Sequence, residues 1–172
     1  MNQSSKNIPM SAAPYVYDEI GAIAWDKMWN NFCILAKEGG PPHRGTKLAF
    51  KSDNTTNTTD NYIEATKEIT RAYKQLIPYA FQFNKQGNVE IKLTTPNMAK
   101  WFADIINSEN VSCAQNQNTI TLPVNDDFTS AEIKNIVTVT AKVHHYWKNH
   151  RTWFAKLVIH LTSKDLEAGI WE

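Results

Sequence analysis

His144 and His145, followed by Tyr146, Trp147, Lys148 and Arg151, are the residues of this chain best equipped for chemistry. Histidine titrates near neutral pH, so it serves as a general base, a hydrogen-bond donor or a metal ligand. Arginine grips a phosphate or carboxylate through two parallel hydrogen bonds, and lysine adds a point charge. Tyrosine and tryptophan rings stack on planar ligands. All these residues lie in a stretch from Glu132 to Asp165 that has no carboxylate between its ends. That stretch carries six basic residues (Lys134, Lys142, Lys148, Arg151, Lys156 and Lys164) and four of the five histidines, His144, His145, His150 and His160. The net charge of +1 conceals this polarity, because the rest of the chain has 12 basic against 17 acidic residues, or −5. Such a field attracts an anionic small molecule, a nucleic acid or an acidic protein partner.

Helix geometry decides which of these side chains act together. Neighbours on a helix are turned by about 100°, so His144 and His145 do not face one point. His144 shares a face with Trp147, Lys148 and Arg151, whereas His145 lies beside Lys142, Lys148 and Asn149. The pair lacks the i, i+4 spacing of zinc-binding helices and has no carboxylate nearby to orient an imidazole. A metal-handling protein (zinc, nickel, cobalt or copper), with His43, His144 and His145 as its first candidates, would need at least three of His43, His144, His145, His150, Cys33 and Cys113 to converge. An anion site held by Arg151, Lys148 and the histidines suits the chemistry better. A sequence pI near 7.8 is well below that of a dedicated nucleic-acid binder, which puts DNA and RNA behind small anions and acidic proteins. The plain alternative places Lys134, Lys142, Lys148 and Lys156 on a solvated helix face, with Trp147, Trp153 and Phe154 in the core.

Gly39-Gly40-Pro41-Pro42-His43-Arg44-Gly45 is the second informative stretch. Its prolines stiffen the loop, and its glycines permit close approach of a ligand or another chain. His43 and Arg44 stand between these fixed points, with no acid from Gly39 to Ser52. It lacks the Gly-Lys-Ser/Thr ending of a phosphate loop. A helix C-cap followed by a rigid turn accounts for its glycines and prolines equally well. The expected ligand-binding set is therefore His43, Arg44, His144, His145, Tyr146, Trp147, Lys148 and Arg151. An acid–base enzyme using one of these histidines is the other alternative; Cys33, Cys113 and the pair Asp126-Asp127 complete the reactive groups, with no cofactor specified.

These residues must be positioned by ordinary globular structure. The 172 residues are 42% hydrophobic and 20% charged, which describes a folded domain rather than a disordered one. No apolar run approaches the ~20 residues of a membrane span, and the N-terminus lacks a secretory apolar region. Two isolated cysteines do not build a disulfide framework. A reduced, cytoplasmic, soluble protein is the expectation, with a homo-oligomer compatible.

Residues 1–14 read as a disordered lead, 15–45 as a helix and the rigid loop, 46–60 as a polar linker, and 61–172 as an α+β core. The first helix is expected from Asp18 to Lys37 and the second from Asn61, with Glu64 as its capping-box partner. Strands are expected at Tyr79–Phe83, Val89–Leu93, Val111–Gln115 and Thr119–Val124. Thr95-Pro96 marks one helix start, and Thr129 with Glu132 another that reaches about His150. Periodicity leaves 153–161 open between helix and buried strand. The order strand, helix, strand, strand, helix and a final strand is that of a ferredoxin-like split βαβ core, with the N-terminal helices packed on it.

Overall fold

A computed structural model describes residues 16–27, 47–51 and 59–164. Local signals set most of the boundaries. Helix α1 (Asp60–Leu76) is capped by Thr59, whose hydroxyl accepts from the Tyr62 amide at 3.2 Å. The cap expected from Asn61 and Glu64 is thus supplied just before it, by Thr59. Strands β1 (Ala80–Phe83) and β2 (Val89–Lys92) follow. Helix α2 (Pro96–Ser108) starts where Thr95-Pro96 predicts, the Thr95 hydroxyl accepting from Met98 N at 3.2 Å. Strands β3 (Ala114–Asn116) and β4 (Thr119–Leu122) flank a turn in which Gln117 has φ of 50°. Helix α3 (Ser130–His150) opens on the expected capping box: the Glu132 carboxylate accepts from Thr129 N at 2.8 Å.

The protein is mixed α+β, with a four-stranded antiparallel sheet in the order β1-β2-β4-β3. Because β4 lies between β2 and β3, those two strands run parallel without touching, and α2 connects them. Pairing places Phe81, Ile91 and Ile120 in one cross-strand row and Phe83, Val89 and Leu122 in another. Side chains alternate along a strand, so these rows form the sheet's core face. Gln82, Glu90, Lys92, Thr119 and Thr121 form the opposite, polar face. The division is that of an antiparallel sheet covered on one side.

Residues 153–161 do not add a strand. They form helix α4 (Trp153–Thr162), capped by Thr152, whose hydroxyl accepts from Ala155 N at 3.1 Å, and closed by Ser163 at φ 59°. Local caps decide what periodicity left open. The outer place beside β2 is taken by β1, which precedes it in the chain. The first helix is also corrected: residues 18–24 form a turn and a bridge, and helical structure begins at Trp25.

Helix α3 is buried on every side from Lys134 to Val143. Two of its threonines bond within the core: the Thr138 hydroxyl donates to Lys134 O at 2.7 Å, and the Thr140 hydroxyl bonds that of Tyr73 at 2.9 Å. Lys142 forms a buried ion pair with Glu109 from the end of α2. Lys134 and Lys142, at 2% and 4% exposure, are therefore not part of a solvated face.

Candidate functional site

The aromatic cluster at the C-terminal end of α3 is built by three elements. Trp101 and Phe102 come from α2, Tyr146 and Trp147 from α3, and His160 from α4. The Trp147 ring lies 5.4 Å from Trp101, 6.2 Å from Phe102 and 5.3 Å, edge to face, from His160. The α4 backbone and side chains are tied to the start of α2. His160 Nδ1 bonds the Thr95 hydroxyl at 2.7 Å, and the Asn97 amide donates to His160 O at 2.8 Å.

Arg151 is held inside this cluster. Its guanidinium carbon sits 3.8 Å from the Tyr146 ring centre and 5.8 Å from that of Trp101, and the residue is only 5% exposed. A buried guanidinium stacked on two rings is a strong internal contact. Tyr146 and Trp147 are likewise buried. The structure thus gathers Tyr146, Trp147 and Arg151 around Trp101, a residue whose place beside them is visible only once α2 packs on α3.

The histidines part company, as helix geometry requires. His144 turns to Tyr79, with its Nδ1 3.1 Å from the Tyr79 hydroxyl and the rings edge to face at 5.2 Å. His145 lies against Asn149 at 3.0 Å. Lys148 is exposed, and its carbonyl accepts from Lys156 Nζ at 3.2 Å. His43, Arg44 and Cys33 lie outside the described residues, as does the His150 side chain. Among the described residues no three His, Cys, Asp or Glu side chains converge to hold a metal.

The remaining reactive groups are restrained by their surroundings. Burial pushes the Cys113 thiol up to about 12, so it is protonated at neutral pH. Asp126 and Asp127 pair with Lys51 at 2.5 and 3.1 Å. Burial, reinforced by Lys148 and His145, pushes His144 down to about 4 from its ordinary 6.5. The folded protein therefore holds His144 neutral. Its contribution to stability is complete above pH 6.5 and is lost as pH falls from 6.5 toward 4, where the unfolded chain takes up a proton that the fold refuses. His144→Gln is expected to remove about 1–3 kcal/mol of this acid destabilisation, read as the difference in urea unfolding between about pH 7 and pH 5.

What solvent meets is a different set of side chains. On α4, Trp153 is 75% exposed, Phe154 54%, Leu157 43% and Leu161 69%. At about 100° per residue these four fall within one arc of roughly 100°, opposite the buried Ala155 and Ile159. Lys156 and His160 border that arc, and Lys164 follows the helix. Trp153 and Phe154 are thus surface residues rather than core. The i, i+4, i+8 spacing of Trp153, Leu157 and Leu161, out of phase with Ala155 and Ile159, is the sequence signal for this face.

No protein-family model matches the chain, and neither do any curated protein or solved structure. No described helix is long and apolar enough to cross a membrane.

Proposed function

We propose that this chain is a small binding or accessory protein that recognises an acidic partner through the exposed face of α4. The observation that carries this reading is the combination of four exposed apolar side chains, Trp153, Phe154, Leu157 and Leu161, with bordering lysines in a stretch free of carboxylates. Contiguous apolar surface with a polar rim is the usual mark of a protein interface, and aromatic residues are enriched at its centre. The basic border selects for negative charge and speeds encounter. Recognition of a small anion by Arg151 receives less support, because its guanidinium is buried against Tyr146 and Trp101. The same reading takes the sheet as a permuted ferredoxin-like core. Its support is the placement of β4 between β2 and β3, with the outer strand supplied from the N-terminal side.

Calorimetric titration with a synthetic amphipathic helix of glutamate and leucine tests the functional reading. This peptide is expected to bind, and a copy with lysine in place of glutamate is expected to bind at least tenfold more weakly, about 1.4 kcal/mol. Equal affinity for the two peptides, or binding of neither, would refute it.

A further inference from the structure

We propose that the acidic partner is a second copy of this chain, which docks the turn of residues 18–21 onto the α4 face. The inference rests on the reading of α4 given above. Turns ordinarily carry polar residues and glycine. This one instead presents Ile20 at 89% exposure, beside the exposed Glu19.

The turn is built to be rigid. The Asp18 carboxylate accepts from Ile20 N at 3.1 Å and Ala22 N at 2.8 Å, and Asp18 N donates to Ala22 O at 2.8 Å. Gly21 supplies the left-handed φ of +78° that closes it. Its base is anchored on α1. The Trp25 indole donates to Glu68 at 2.8 Å, and Arg71 holds the same carboxylate while donating to Ile23 O at 2.5 Å. A preformed apolar tip loses little conformational entropy on binding, which favours its use as an anchor.

The two surfaces are complementary. Asp18 and Glu19 bring negative charge around Ile20, while the half-buried Lys156 lies beside the apolar arc of α4 and the exposed Lys164 follows the end of that helix. The helices pack in the series α1, α3, α2, α4, with the tip anchored at the α1 end and the receiving face at the other. A contact between unlike surfaces of identical chains is heterologous, so each copy offers one tip and one face.

Sedimentation velocity on the full chain, from about 1 µM to about 1 mM, covers the affinities expected of a small interface. Concentration-dependent dimers and larger species are expected. Ile20→Lys sets a cation against the basic border, and Leu157→Glu sets an anion against the acidic tip. Each is expected to weaken association at least tenfold, and the exposure of both sites leaves the fold intact by circular dichroism. Mixing the two variants is the decisive arm. The intact tip of one meets the intact face of the other, so the mixture forms a dimer and nothing larger. A protein that stays monomeric throughout, association that survives both substitutions, or a mixture that fails to dimerise would each overturn the proposal. A monomer that still binds the glutamate–leucine peptide would overturn self-docking and keep the acidic-partner reading. Self-association that survives both substitutions, with no peptide binding, would sink both.

Discussion

Glu109→Ala is expected to destabilise the protein by about 3–5 kcal/mol, measured by urea unfolding at neutral pH. Glu109 and Lys142 are each only 4% exposed and form a direct ion pair between the end of α2 and the middle of α3. Removing the carboxylate leaves the Lys142 ammonium in buried surroundings without it, and the desolvation of that charge is no longer offset. Replacing both partners by apolar groups of similar size, as in Glu109→Leu with Lys142→Met, is expected to cost much less. Loss of the same size in the single and double variants would show that the pair is not what stabilises this junction.

Trp147→Ala is expected to cost a similar ~3–5 kcal/mol, as truncation of a large buried ring generally does. Trp147 joins Trp101 and Phe102 of α2 to His160 of α4, so its removal opens a cavity where three helices meet. Lys156, whose ammonium lies 5.8 Å from the ring, loses its platform as well. Trp153→Ala provides the contrast. At 75% exposure it is expected to change stability by no more than about 0.5 kcal/mol while weakening peptide binding. The same residue type six positions apart thus separates support of the surface from the surface itself.

These two tryptophans also show how far the sequence could be read. Where the signal was local, it held: Thr95-Pro96 begins α2, and Thr129 with Glu132 caps α3. The strands carrying Val89, Ile91, Ile120 and Leu122 were legible too, and their pairing shows that these four residues face the core. Charge was less informative. Lys134 and Lys142 read as solvated from their type, yet tertiary packing surrounds α3 and buries both. Arg151 read as an anion ligand for the same reason, whereas Tyr146 and Trp101 enclose it. Residues 153–161 were ambiguous because their apolar content satisfies both helix and strand, and the caps Thr152 and Ser163 carry the decision. The division of His144 from His145 followed from helix rotation alone.

The central claim is that the exposed face of α4 is the recognition surface, and amide chemical shifts recorded during titration with the glutamate–leucine peptide test it most directly. The expected shifts fall on Trp153, Phe154, Leu157, Leu161 and Lys164. Shifts confined to the polar sheet face at Glu90, Lys92, Thr119 and Thr121, or no shifts at millimolar peptide, would contradict it.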